Sequence, residues 1–556
     1  MSKEIALRAA LENRQKFGKA DVKAVLGKIM QLAPELRNNR KDAENTAKEA
    51  VKEANKLSQE DAERRLNELP ELGLEKKEKK ELSLEGDPKH VVLRFEPSPS
   101  GPMHIGHTYP LLLNKTLAEK HEGKLILRIS DTNPENIDPK AYDLLPEDGK
   151  WLTNGFIKDF YVQSDRMHTY YKHAEEAIKK NYVYVCSCSS ENFKKLVDKS
   201  EPCPCRDLSV EENMARWKQM LDDAPQGSYV VRVKTDLNHK NPAMRDWPAL
   251  RINTETHPRQ GTKYRVWPLL NWAVAIDDHE MGVTHTLRAK DHMDNAKRQK
   301  LLLDHFGWKD PIHLYVGRIN FEGFRLSTSQ TRKKIEAREY SGWDDIRLPF
   351  IRALKRRGYQ PLAFQTYAVS MGITQNDKSV ALDEYYKALN AFNKDILDPI
   401  SDRHFFIADP VEVLIDGCPT LEPEIELHPG HPERGHRKFK TGSKFYLDKK
   451  DLDSVQEGKI YRLMDCLNFT KRDGKLVFHS QDYETYKAKG TRIMHYLPVE
   501  NAVVETRMRM PDNTVLEGKA EHDVEKLKEG AIIQFERFGF ARLDSKENME
   551  FWFCHK

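Results

Sequence analysis

Val22, Val25, Leu26 and Ile29 recur at the three- and four-residue intervals of one helix face, behind an Asp21 placed to cap the first turn. They predict a helix inside a longer stretch, residues 1–88, crowded with lysine, glutamate and alanine. This reads as a helical N-terminal region; from Asn38 to Leu84 its charge density rises, and "LGLEKKEKKELSLEGDP" reads as a solvated linker. At Val91 the pattern changes. "VVLRF" predicts a short apolar strand, "EPSPSGPMHIGH" a loop, residues 105–120 a helix, and "KLILRIS" at 124–130 a second strand. Strand, helix and strand in so short a space predict a right-handed βαβ unit, the start of a nucleotide-binding parallel sheet. After about residue 400 the helical period fades into short strand-like runs: "KFYLDKKDL", "KIYRLMDCLNF", "KLVFHS" and "AIIQFERFGFARLD". Asp473-Gly474 is a hairpin turn by composition, and the C-terminal part reads as one or two β-barrels.

Length, charge and cysteines narrow this picture. A chain of 556 residues exceeds one ordinary domain and suggests three or four. Its 91 lysines and arginines barely exceed its 87 aspartates and glutamates, so overall charge does not announce a polyanionic partner. The N-terminus is charged and no run approaches the roughly 18 to 20 apolar residues of a membrane span, which predicts a cytoplasmic protein without membrane association. Seven cysteines are too few for a disulfide scaffold, and four of them crowd between 186 and 205.

Two motifs carry chemistry. A helix start offers unpaired amides and a positive dipole, and a glycine lets a nucleotide approach the backbone. Gly106 is that approach point, and His104 and His107 can donate to phosphate oxygens. Two histidines on a surface turn, or a zinc-binding pair, are the rival readings. The second motif is Cys186-x-Cys188 and Cys203-x-Cys205. Two close pairs of thiols suit tetrahedral zinc closing a loop with little core of its own; a redox pair would need Cys-x-x-Cys spacing and a thioredoxin-like setting. No serine or cysteine triad is evident.

"VVLRF", "PSPSG", the literal "HIGH" and the strand ending in "DTNP" together resemble the first half of a class I aminoacyl-tRNA synthetase, in the glutamyl and glutaminyl branch. "FEGFRLSTSQTRKKIEAREYSGWDDIRLPFIRALKRRG", residues 321–358, is similar to the second signature of that branch, closest to the LSTSK form of archaeal glutamyl enzymes. The resemblance runs over nearly the whole chain, through "RDWPALRI" and "GVTHTLRAKDH" to "ERFGFARLD". It implies an α/β fold: residues 1–88 helical, a Rossmann-like parallel-sheet catalytic domain at 89–320 with a zinc-bearing, acceptor-binding insertion at about 180–250, a signature loop and helical connector at 321–400, and anticodon-binding β-barrels at 401–556.

The implied activity is glutamate-tRNA ligation. ATP with magnesium activates glutamate, and a terminal ribose hydroxyl of the glutamate tRNA takes the acyl group; the glutamine tRNA is a candidate second acceptor. The implied site combines His104, Gly106, His107, Ser327, Ser329 and Lys333 for ATP with Arg94, Ser98, Asp131 and Arg288 for glutamate. Three positions depart from the pattern. Ser130 stands where an acidic residue usually precedes "DT", beside Asp131; Leu270 stands where relatives carry tyrosine; Gln330 replaces the lysine of LSTSK, with Arg325, Arg332, Lys333 and Lys334 nearby as substitute cations. A glutaminyl enzyme and a catalytically weakened tRNA-binding paralogue are the alternatives; a truncated paralogue that modifies a tRNA base would lack the C-terminal half.

Overall fold

The computed structural model describes residues 2–32, 40–69, 82–86, 89–323 and 326–556. The chain divides into two compact units at Glu81 and Leu82. Among the described residues the first holds four α-helices, α1 (Ser2–Phe17), α2 (Val22–Leu32), α3 (Arg40–Ala54) and α4 (Gln59–Glu68). Asp21 caps α2 as expected: its Oδ1 accepts the N–H groups of Lys23 and Ala24 at 2.9 and 3.0 Å. Ala6, Ala9, Ala10, Ala47, Ala50 and Ala54 pack around Val25 and Ile29, small side chains that let helices approach closely. Most of the charged linker lies outside the described residues.

The second unit opens with β1 (Val92–Phe95), α5 (Ile105–Lys120) and β2 (Lys124–Ile129), with β1 and β2 parallel and Val92 opposite Lys124. After α6 (Ala141–Leu152), β3 (Asp159–Val162) adds to β2, again parallel. Leu111, Leu112, Leu113 and Leu117 of α5 bury against Leu93, Leu125 and Leu127 of the sheet. Beyond α7 (Met167–Lys179) comes an insertion: β4 (Val183–Cys186), α8 (Ser190–Asp198), α9 (Val210–Asp222), β5 (Val230–Val233), β6 (Pro248–Ile252) and β7 (Val266–Pro268). Its strands form an antiparallel sheet in sequence order that runs on to residue 268.

The chain returns through α10 (Leu270–Glu280), β8 (His285–Ala289), α11 (Met293–Phe306) and β9 (Ile312–Val316), β8 and β9 being parallel. Thr284 ties β8 to the side of β1 away from β2: its N–H donates to the Val92 carbonyl at 3.0 Å and its Oγ1 accepts the Val92 N–H at 2.9 Å. Successive strands thus run outward from β1 in both directions, and the crevice at the carboxyl ends of β1 and β8 is a topological switch point, where such sheets bind ligands. Next come β10 (Ile319–Glu322), α12 (Thr328–Glu336), α13 (Ile351–Arg357), α14 (Pro361–Met371), β11 (Lys378–Ala381) and α15 (Leu382–Leu397), with β10 parallel to β11.

Besides a two-stranded ribbon of Glu424–Glu426 and His436–Lys438, the remainder forms two seven-stranded sheets. The expected barrels are not sealed by hydrogen bonds. In one sheet Arg403–His404 and Phe406–Ile407 are the two edges; in the other Gly490–Met494 and Leu497–Pro498 are. Each sheet curls until one continuous segment supplies both edges, so the covalent chain completes the enclosure. Asp473 and Gly474 have φ of 49° and 77° and join the strands Asn468–Arg472 and Lys475–Ser480, the positive pair that a tight hairpin demands. "KFYLDKKDL" is strand only to Asp448, whose Oδ1 accepts the Lys450 N–H at 2.9 Å and starts a short helix, Lys449–Asp453. No helix among the described residues is long and apolar enough to cross a membrane.

Candidate active site and cysteine cluster

The histidine loop leaves the carboxyl end of β1 and enters α5. His104 is the N-cap, its Nδ1 accepting the Gly106 N–H at 3.1 Å, while the His107 Nδ1 accepts the His104 N–H at 3.1 Å. The two rings stack at 3.9 Å, edged by Phe350 and Phe95. A nitrogen that accepts a backbone N–H carries no proton, so each neutral ring keeps its proton on Nε2 and is a donor there. A methyl on Gly106 would lie 3.0 Å from the His104 ring, so glycine is what lets the histidine fold back as a cap. The loop is anchored from behind, Ile105 donating to the Pro349 carbonyl at 3.1 Å and Ile351 to that of Met103 at 2.9 Å.

Burial pushes His107 down to about 4 from the ordinary 6.5, and pushes His104 well below its normal range, with His107 adding to the effect. In the unfolded chain both would take up protons nearer 6.5, so the stability tied to their neutral form is whole above that pH and lost as pH falls toward about 4. Asp148, which accepts the Met103 N–H at 2.9 Å, is pushed up to about 7 by burial and acts in the opposite sense. Thermal unfolding of the protein and of His107→Asn from pH 7.5 to 4.5 isolates the histidine term: the variant should lose less stability over that range. Parallel curves would remove His107 as a buried neutral group.

The signature loop faces this start. Ser327 caps α12, its Oγ accepting the Gln330 N–H at 3.4 Å and lying 3.3 Å from Ser329 Oγ. A methyl on Gly101 (φ 151°) would meet Thr328 Cγ2 at 2.4 Å, and one on Gly106 would meet Leu326 at 3.4 Å, so the two loops are in close contact. Gln330 and Lys333 are both exposed, one helical turn apart. Lys334 pairs with Glu339 and lies over the Tyr340 ring, and Arg325 lies outside the described residues.

The two arginines differ in their surroundings. Arg94, at the carboxyl end of β1, donates to Asp278 at 2.9 and 3.2 Å and sits 3.3 Å from Glu96. Arg128, fully buried in β2, shares both carboxylates and lies 3.7 Å from Asp277, which also binds Arg166 at 2.7 Å. These pairs hold Asp278 at about 2 against the cost of its burial. Arg288, near the carboxyl end of β8, is also buried yet makes no such pair among the described residues. Its Nη atoms donate to Gln299 Oε1 at 3.0 Å, one also nears His313 Nδ1 at 3.4 Å, and its Nε has no partner among the described residues. Burial, and next the charge of Arg94, pull Arg288 down to about 10. A buried guanidinium without an anion is receptive to one.

The other predicted residues are less free. Asp131 is fully buried; one oxygen accepts from Tyr142 and the other from the Ser164 N–H, both at 2.8 Å, and His257 Nε2 stands 3.5 Å away. Its carboxylate is committed inside the protein, which does not suit the role of substitute for the acid missing at Ser130. Ser98 is exposed on the loop, and Leu270, at the first turn of α10, is 40% exposed. Glu96, Arg128, Asp277, Asp278 and Gln299 were missed by motif reading. A lone arginine inside "LILRIS" and two adjacent acids in "AVAIDDH" were the available signals.

The four clustered cysteines converge, their sulfurs all within 4.8 Å of one another. Cys203 Sγ lies 3.5 Å from that of Cys186 and 3.4 Å from that of Cys188. A tetrahedron with bonds of ~2.3 Å has edges of about 3.8 Å, so four thiolates fit zinc here with little movement. Backbone N–H groups of Cys188 and Cys205 reach the sulfurs of Cys186 and Cys203 at 3.4 Å, and Arg216 reaches Cys205 at 3.3 Å, contacts that favour thiolates. Cys186 is pushed down to about 5, first by the hydrogen bond with Cys203, which is pushed up in return.

A donor-lined helix start against a second loop, with a buried cation alongside, is the outline of a site that activates a carboxylate with a nucleotide. Residues 90–399 match the catalytic-domain model of the class I tRNA synthetases (E and Q), and residues 401–496 and 485–544 match two anticodon-binding-domain models of the same group. The chain therefore belongs to the class I tRNA synthetases of the glutamate and glutamine group. It is 42% identical over 565 residues to a glutamate-tRNA ligase of Methanothermobacter marburgensis, with 100% of each chain covered. To a glutamate-tRNA ligase of Pyrococcus furiosus it is 43% identical over 568 residues, covering 98% of each.

Proposed function

We propose that this protein is a glutamate-tRNA ligase that activates glutamate with magnesium-bound ATP and esterifies the 3′ end of the glutamate tRNA. An α-carboxylate oxygen of glutamate attacks the α-phosphorus, the new P–O bond forms as the bond to pyrophosphate breaks, and a ribose hydroxyl then attacks the acyl carbon and releases AMP. His104 and His107, neutral and donating through Nε2, would hydrogen-bond the phosphate as its charge redistributes. The observation that carries the reading is Arg288, a buried cation with no ion-pair partner among the described residues, at the switch point of the sheet. Cys186, Cys188, Cys203 and Cys205 would hold a structural zinc that closes the insertion facing the acceptor end. Pyrophosphate exchange tests the activation step: with tRNA present, glutamate should support it and glutamine should not. Equal exchange with both would favour a glutaminyl enzyme, and none with either a tRNA-binding paralogue.

Gln330 cannot give the polyphosphate the Coulombic attraction of an ammonium. Lys333 shares its face of α12 and has no ion-pair partner among the described residues, so it is the replacement this reading favours. Lys333→Ala should slow adenylate formation at least tenfold in single-turnover assays, and adding Gln330→Lys should recover part of the loss. A silent Lys333→Ala, with Gln330→Lys alone accelerating the reaction, would contradict the compensation.

A further inference from the structure

We propose that Gln299 is a positioning residue that sets the charge of the amino-acid pocket, holding Arg288 in place without neutralising it so that a carboxylate, and not an amide, is selected. The proposal rests on the glutamate reading above. Beside Arg288 lies a closed set of ion pairs: Arg94, Arg128 and Arg166 against Glu96, Asp277 and Asp278, three of each sign. That set is balanced before any ligand arrives. Arg288 is the surplus, one positive charge, and the side chains its guanidinium meets among the described residues are free of negative charge: Gln299, Tyr315, and His313, whose Nδ1 faces both Arg288 and Thr286 Oγ1 while its Nε2 lies 3.2 Å from Asp310.

Gln299 is 2% exposed on α11, and its amide can stand only one way round. Arg288 only donates, so Oε1 must face its two Nη atoms at 3.0 Å, while Nε2 donates to Asn271 Oδ1 at 3.2 Å. Asn271 in turn donates to Asn295 Oδ1 at 3.4 Å, so the chain leading away from Arg288 is built of neutral amides. A glutamate at 299 would have nearly the same shape and could accept the same two bonds, yet it would bring the pocket to zero net charge. The substrate carboxylate would then be buried without a surplus cation, and the amide of glutamine would lose its disadvantage.

The test compares Gln299→Glu with Gln299→Met, similar in length and neutral, in the full-length protein, reading tRNA acylation with labelled glutamate and labelled glutamine and calorimetric unfolding without substrate. Gln299→Glu should lower kcat/KM for glutamate about 100-fold, through KM for glutamate more than KM for ATP, and collapse the preference for glutamate over glutamine. It should also unfold at a higher temperature than the unsubstituted protein, because Arg288 gains a counter-ion. Gln299→Met should be slower yet keep its preference. Three results overturn the proposal: a Gln299→Glu protein with its preference intact, a Gln299→Met protein that loses preference as completely, or a Gln299→Glu chain that fails to fold. If the unsubstituted protein does not acylate tRNA with glutamate, the underlying reading fails with it; if it does and any of those three results appears, this inference alone fails.

Discussion

Arg288→Met should lower kcat/KM for glutamate by two orders of magnitude or more while leaving the substrate-free protein no less stable than before. The two halves of this expectation share one cause. Arg288 is buried against a neutral amide, its Nε lacks a partner among the described residues, and burial with the charge of Arg94 pulls its proton affinity down to about 10, so the guanidinium bears a desolvation cost that no direct ion pair offsets there. Methionine covers similar apolar volume and removes the unpaired charge. When glutamate binds, its side-chain carboxylate would then be desolvated with no partner, a penalty of about 3 to 5 kcal/mol in buried pairs broken on one side. Steady-state kinetics with glutamate and ATP varied separately, together with calorimetry, checks both halves. A loss of stability matching the loss of activity would make Arg288 a structural residue and remove it from the pocket.

Changing Cys203 and Cys205 to serine together should remove the metal and with it tRNA charging. The sulfurs sit in a small cluster whose apolar members are Tyr184, Phe193, Leu196, Leu208 and Val230, too few to hold the segment between the cysteine pairs by burial alone. Metal binding would supply the missing stability, on the order of 10 kcal/mol apparent for four-ligand zinc sites. Elemental analysis should find about one zinc per chain in the unsubstituted protein and none in the double variant. Pyrophosphate exchange should fall less than acylation, since the four cysteines lie on the insertion and His104, His107 and Arg288 do not. A zinc-free preparation that charges tRNA at the full rate would end the structural-zinc reading.

What could be read in the sequence was local. Asp21 caps α2 through neighbours two and three residues away, the His-x-x-His pair folds onto its own backbone, and Asp473-Gly474 makes its turn from φ values that few other dipeptides accept. The cysteines could be grouped because they come in two tight pairs. What could not be read was long-range. Arg94 meets Asp278 across 184 residues of sequence, and nothing in "VVLRF" says that its arginine is neutralised while the one in "THTLRAKD" is not. Asp131 looked available beside Ser130 because the commitments of its oxygens to Tyr142 and Ser164 come from elements brought in by the fold. The barrels were legible as strands but not in their closure, which depends on which edges one segment happens to supply.

The central claim is that a carboxylate-selecting pocket built around Arg288 feeds a tRNA-charging reaction. Acylation of purified glutamate tRNA and, separately, glutamine tRNA with labelled glutamate or labelled glutamine, counted as base-labile ester on the RNA, tests it most directly. Glutamate on the glutamate tRNA, with no ester from glutamine on either tRNA, is the predicted result. Glutamine esterified at a comparable rate, or no ester from either amino acid, would contradict it.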